Sequence, residues 1–260
     1  MNNLISTFAR LSILCIFMLA AGCGSGQISG TAETTGIVAS SGSGAGQPHH
    51  SRGLCTPSST SPAPANGLVA DFSPAGGGTN GQGIETSGRV VTYASPKLVG
   101  PGSMTYSTTG GHLNIKISAP ATSRPQLLGT MIQFDSCIDA SAFTGVQFTI
   151  SGSFSGCSMT YATGDVGHED MAISSTFASG QAGSYVPQDK ISAGDLSSTP
   201  RTIKQPFVGT DIQGNPATPI NPTKLIFTLW QFIVPVAADD GSSTPACTAS
   251  VTIDDVKFYH

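Results

Sequence analysis

Charge is the scarcest commodity in this chain. Only 10% of its 260 residues are Asp, Glu, Lys or Arg, against about a quarter in ordinary globular proteins. The balance is mildly acidic, with a formal net charge of −4. A nucleic-acid partner needs a basic face to neutralise phosphates, so the composition argues against one. Pairs of the Cys-x-x-Cys type are missing, which argues against zinc and thioredoxin-like chemistry. So are a nucleophile elbow, a His-Glu-x-x-His helix and a phosphate loop. Scattered groups such as Glu85, Glu169, His112, His168 and His260 remain, but they form no catalytic motif, and the chain reads as a non-enzyme. Nothing resembles a long amphipathic helix. The apolar run Leu11–Ala20 is too short to cross a bilayer.

What that run does fit is an export signal. Met1–Gly22 carries Arg10, no acidic residue and the ending Leu19-Ala20-Ala21-Gly22-Cys23. This ending resembles the lipobox of bacterial lipoproteins, which implies acylation of Cys23 as the new N-terminus and attachment to a membrane. Each buried methylene of such an anchor contributes about 0.8 kcal/mol. Gly24 in place of Asp implies, by the same resemblance, the outer membrane. Loss of residues 1–22 removes only Arg10 and leaves a net charge of −5. The stretch 23–66 is Gly, Ser, Thr and Pro with almost no large apolar residue, so it cannot bury a core and reads as a disordered tether. It would hold a domain about 35 Å from the membrane.

Residues 67–260 are enough for one sizeable core. Their apolar pattern has period two, and Gly, Pro, Ser and Asn mark the turns. Strands are expected over 68–72, 89–93, 103–107, 112–118, 126–134, 146–151, 157–162, 171–177, 201–207, 224–234 and 249–259, which points to an all-β sandwich or barrel. Leu113, Ile115 and Ile117 alternate with polar residues, as do Val146, Phe148 and Ile150, so both strands expect one buried face. The stretch 224–234 is apolar on both parities, which means a fully buried strand or one with a face in a groove. In the last strand Val251 and Ile253 share one parity while Val256 and Phe258 take the other, so a bulge is expected at Asp254–Asp255. Such a terminal strand is expected to pair with an earlier one and close the fold from end to end. Asp139–Phe143 reads as one helical turn, capped by Asp139 or Ser141.

With Cys15 leaving in the signal and Cys23 acylated, four cysteines remain: Cys55, Cys137, Cys157 and Cys247. An exported chain with an even number expects two disulfides, with three pairings open. Cys137–Cys157 and Cys55–Cys247 are the favoured pairs, for about 3 and about 5 kcal/mol in the loop-entropy picture.

Leu68–Phe72, the stretch Cys-Ile-Asp-Ala-Ser-Ala-Phe-Thr-Gly-Val-Gln-Phe-Thr-Ile over 137–150, Leu-Ile-Phe-Thr-Leu-Trp-Gln-Phe over 225–232 and Thr-Ile-Asp-Asp-Val-Lys-Phe-Tyr over 252–259 together resemble the galactose-binding-like jelly rolls used as carbohydrate-binding modules, in particular those of bacterial surface lipoproteins. The resemblance implies a two-sheet antiparallel β-sandwich, a glycan groove on one sheet or at the loops, and a calcium ion near the paired terminal strands. Asp71 with Asp254 or Asp255 would be its oxygen ligands. Sugar binding calls for an aromatic face and neighbouring amides. By residue type Trp230 with Gln231 leads, followed by Tyr161, Tyr185 and His168. Trp230 and Gln231 point to opposite faces of a strand, so only one of them enters a groove. A core position for Trp230 is the favoured reading. A monomer is expected. The rival function is a structural or adhesive surface domain with no glycan ligand, because fold does not fix function.

Overall fold

The computed structural model describes residues 60–73, 82–95, 102–123, 125–168, 186–237 and 244–260. The expected signal, Cys23, Cys55, Tyr185 and the strand expected over 171–177 lie outside the described residues. Among those described there are twelve strands: β1 (Thr60–Pro62), β2 (Leu68–Ala70), β3 (Gly88–Ser95), β4 (Ser103–Ser107), β5 (Leu113–Ala119), β6 (Gln126–Asp139), β7 (Gly145–Ser155), β8 (Ser158–Asp165), β9 (Gln188–Ile191), β10 (Arg201–Pro206), β11 (Leu225–Val234) and β12 (Cys247–Tyr259).

They form two six-stranded sheets. The front sheet runs β1-β6-β11-β8-β9, with β3 also paired to β6. The back sheet runs β10-β7-β12-β5-β4, with β2 also paired to β12. Every strand pair is antiparallel except β1 with β6. This is the expected all-β, two-sheet jelly-roll sandwich. Two strands escaped the sequence pattern. β1 lies in the stretch read as tether, and β9 is only Gln-Asp-Lys-Ile. The Asp139 turn is not helical, although Asp139 Oδ1 does accept from the Ser141 amide at 3.0 Å, as a cap would.

Period-two patterning explains the layers. Leu113, Ile115 and Ile117 of β5 and Val146, Phe148 and Ile150 of β7 point into the core, nearly all at full burial. β12 lies between β7 and β5 and keeps Val251, Ile253, Val256 and Phe258 all buried. It does so because its register to β7 shifts between Asp254 and Lys257, with Asp255 at φ 50°. The bulge expected from the parity slip is therefore present, and its extra residue returns Val256 and Phe258 to the core face. β2 pairs with β12 through Val256 and Ala70, so the ends of the domain do meet.

Between the sheets, Phe148 of β7 packs against Trp230 of β11 edge-on at 5.5 Å and against Tyr161 of β8 at 4.5 Å between ring centroids. Phe154 meets Phe232 edge-on at 6.0 Å. Such aromatic pairs contribute roughly 0.5–1.5 kcal/mol each beyond the area they bury.

The cysteine pairing differs from the expectation. Cys157 is bonded to Cys247, with Cα atoms 5.0 Å apart, so neither Cys137–Cys157 nor Cys55–Cys247 forms. The reason is the register of the back sheet: Thr248 pairs with Ser155, which sets the start of β12 beside the β7–β8 turn that carries Cys157. Cys137 instead sits buried on β6, opposite Thr60 of β1. It too is disulfide-bonded, to a partner outside the described residues.

Candidate functional site

β11 places Trp230 and Gln231 on opposite faces of the front sheet. Trp230 is fully buried and points between the sheets, where Tyr161 lies beside it at 5.6 Å. Tyr161 is equally buried; its hydroxyl bonds to Thr228, and burial pushes its ionisation well above the ordinary tyrosine range. Neither ring offers a face to a ligand from solvent. Adjacent residues on a strand point to opposite sides, so Gln231 lies on the outer face of the front sheet.

The strand register builds a row there. Tyr93 of β3 is opposite Gly129 of β6, Gly129 is opposite Gln231, Gln231 is opposite Thr160 of β8, and Thr160 is opposite Lys190 of β9. Five strands at the usual spacing make this row about 19 Å long. Gly129 leaves the room that the Tyr93 ring occupies; any Cβ there would run into the ring. Tyr93 thereby reaches over β6, and its hydroxyl donates to Gln231 Oε1. Desolvation by burial raises the Tyr93 pKa well above its ordinary value. Gln231 is 1% exposed, and its Nε2 has no hydrogen-bond partner. Amide oxygen and nitrogen are assigned from the bonding network, and in either orientation one polar atom of this amide lacks a partner besides Tyr93. A buried amide in that state costs about 1–3 kcal/mol.

On either side of the polar row the outer face is apolar on β6 and β11, while Ser158 of β8 and Gln188 of β9 are polar. Leu127 and Ile233 flank it on one side, and Met131, Leu229 and Ala162 on the other. Beyond them the ring of Phe227 lies over Gly164. The double-sided apolar pattern of β11 thus reflects burial on both faces, with Gln231 the polar residue of the outer face and Thr228 that of the inner.

The other expected residues are dispersed. His168 follows β8, and its Nδ1 lies 2.7 Å from Oδ1 of the fully buried Asp165, a close polar contact at the end of the strand. Asp165 Oδ2 also accepts from the Asn221 amide. Asp71 Oδ1 caps the Ser73 amide at 2.9 Å. Asp254 Oδ2 lies 3.0 Å from His112 Nδ1, and Asp255 Oδ2 is 2.7 Å from Lys257 Nζ. Among the described residues no three His, Cys, Asp or Glu side chains gather as a metal site. Calcium takes six to eight oxygens, and these three carboxylates, each engaged elsewhere, do not fit a carboxylate-built cage.

Sequence reasoning missed Tyr93, Thr160 and Lys190. Tyr93 was legible in principle: with Val90 and Thr92 facing inward, it shares the outward parity of Arg89. Thr160 and Lys190 depend on long-range register and carry no local signal.

No protein-family model matches the chain, and no curated protein matches it. Solved structures with a similar fold exist. A family 11 carbohydrate-binding module from Clostridium thermocellum, in complex with a β-1,3-1,4-mixed-linked tetrasaccharide, is 12% identical with a TM-score of 0.38, over 65% of this chain and 88% of its own. Another family 11 module, from a cellulosomal cellulase of Clostridium thermocellum, is 13% identical with a TM-score of 0.39, over 74% of this chain and 92% of its own. A low-affinity xylan-binding module from Roseburia intestinalis is 13% identical with a TM-score of 0.28, over 65% of this chain and 97% of its own.

Proposed function

We propose that this protein is a non-catalytic, exported lipoprotein, anchored through Cys23 to the outer membrane or cell surface, whose jelly-roll domain binds a glycan on the outer face of the front sheet. The observation that carries the reading is Gln231. A strand whose outer face is otherwise apolar holds one buried amide there, oriented by Tyr93 and left with an unused polar atom. This amide and most of the apolar residues beside it are buried, so binding requires the outer face to open to a sugar, whose hydroxyl then satisfies the unused atom. Lys190 is the exposed end of the row and Gln231 its buried floor. The non-catalytic part rests on the absence of a catalytic motif in the sequence. The lipid anchor rests on the Leu-Ala-Ala-Gly-Cys ending.

The test is a polysaccharide and glycan array probed with the processed full chain, with calcium and again with chelator. Specific binding that Gln231→Ala and Tyr93→Phe weaken supports the reading. Loss with chelator would overturn the finding that Asp71, Asp254 and Asp255 do not fit calcium. No binding under either condition favours the structural or adhesive alternative. Mass spectrometry of the membrane fraction reports acylation of Cys23, and an unmodified, soluble protein would overturn the anchor.

A further inference from the structure

The outer face of the back sheet carries a feature that the front-face reading does not use. A cleft of about 130 Å³ opens there, lined by His112, Thr149, Ser151, Pro200, Thr252 and Asp254. Its floor is set by register: Thr149 is opposite Asp254, and Ser151 is opposite Thr252, on two neighbouring strands. Its polar groups are held in place before any ligand arrives. Asp254 stands at the β12 bulge, where Asp255 adopts φ 50°. Its Oδ1 accepts from the Asp255 amide at 2.7 Å, and its Oδ2 meets His112 Nδ1 at 3.0 Å. The Thr149 hydroxyl donates to the Asp254 carbonyl at 3.2 Å, and that of Thr252 donates to Asn114 Oδ1 at 3.0 Å. Bulges commonly re-aim a side chain beside a functional site, and here one fixes a carboxylate at the edge of a cavity.

We infer that this cleft is a second binding site, which takes a single neutral pyranose ring. A carboxylate oxygen with lone pairs to spare accepts sugar hydroxyls strongly. The hydroxyls of Ser151 and Thr252 both donate and accept, and the Pro200 ring supplies a small apolar wall. The negative charge of Asp254 disfavours anions, and one carboxylate with one imidazole is too few ligands for a divalent cation. The cleft suits one ring, in contrast to the extended row of the front sheet. The inference rests on the glycan reading for the class of ligand and not for the place. Sites on opposite sheets would let one molecule hold two glycan chains, or two parts of one, with the gain of avidity that follows.

The test is a titration of the isotope-labelled, processed full chain with methyl β-glucopyranoside, methyl β-galactopyranoside, methyl β-xylopyranoside and methyl α-mannopyranoside at millimolar concentrations, read by backbone amide shifts. At least one is expected to give saturable shifts at Ser151, Thr252 and Asp254. Asp254→Asn is expected to weaken it about tenfold or more. Ser151→Val, away from the bulge, supplies a second variant should Asp254→Asn disturb the strand. The inference is overturned by no saturable shift at these amides with any of the four, by shifts confined to the surroundings of Gln231, or by cleft shifts that survive both substitutions. Amides around Gln231 report the front face separately, so failure of either site is seen independently of the other.

Discussion

Trp230→Ala removes the largest side chain of the core and leaves a hole against Phe148 and Tyr161. Aromatic-to-alanine truncations in cores cost about 3–5 kcal/mol. Urea unfolding is expected to show a loss of that size, while the protein that remains folded keeps its glycan response, since the ring touches no outer surface. Gly129→Ala acts the other way round. Its Cβ would displace the Tyr93 ring and break the bond to Gln231, so about 1–3 kcal/mol of stability and array binding are expected to fall together. At this scale the sequence was legible up to a choice. Alternation put Trp230 and Gln231 on opposite faces and the favoured reading put Trp230 in the core, but β11 is apolar on both parities, so alternation alone did not say which face that was. The contact with Phe148, which lies 82 residues earlier in the chain, decides it.

Among the elements, β12 was the most readable, because its parity slip has one cheap repair and the strand makes it. β1 and β9 were the least readable. Three residues that include a proline, and four of which three are polar, hold no alternation; they are strands because β6 and β8 offer them an edge. The disulfide pairing failed for the same reason. The favoured pairs stapled the ends of the 146–151 segment and joined the lead-ins of the first and last strands, whereas sheet register sets the start of β12 beside the β7–β8 turn. The Cys157–Cys247 bridge closes a separation of 90 residues, for which the loop-entropy picture gives about 4–5 kcal/mol. The double variant Cys157→Ala/Cys247→Ala is expected to lose up to that amount in guanidinium unfolding. Peptide mapping without reduction is expected to recover the Cys157–Cys247 link, and to join Cys137 to Cys55, the one cysteine left over once Cys23 is acylated. A Cys137–Cys157 peptide would contradict the register of the back sheet.

For the molecule as a whole, burial of phenols sets an alkaline limit. Tyr93 and Tyr161 ionise less readily folded than unfolded, in both cases chiefly through desolvation. Groups whose folded pKa is raised contribute their stability in full below the unfolded value, about 10 for tyrosine, and lose it as pH climbs toward the folded value. The unfolding midpoint is therefore expected to hold to about pH 10 and to drop beyond it, with tyrosinate absorbance rising at the unfolding transition. Free titration of all five tyrosines ahead of unfolding would contradict the buried placement.

The position of β12 bears on how the molecule comes into being. It is the last strand in chain order, yet it occupies the interior of the back sheet and pairs with β7, β5 and β2. Until it arrives, β7 and β5 are unpaired edges over an open core. A chain that emerges N-terminus first can therefore pair its front-sheet strands early but cannot close the back sheet over the core until β12 arrives. Closure of the back sheet would then come late, with the Cys157–Cys247 bond holding the start of β12 to the β7–β8 turn once it forms. A break anywhere within β12 would part β10-β7 from β5-β4 within the back sheet and give a product fit for proteolysis rather than a shortened domain.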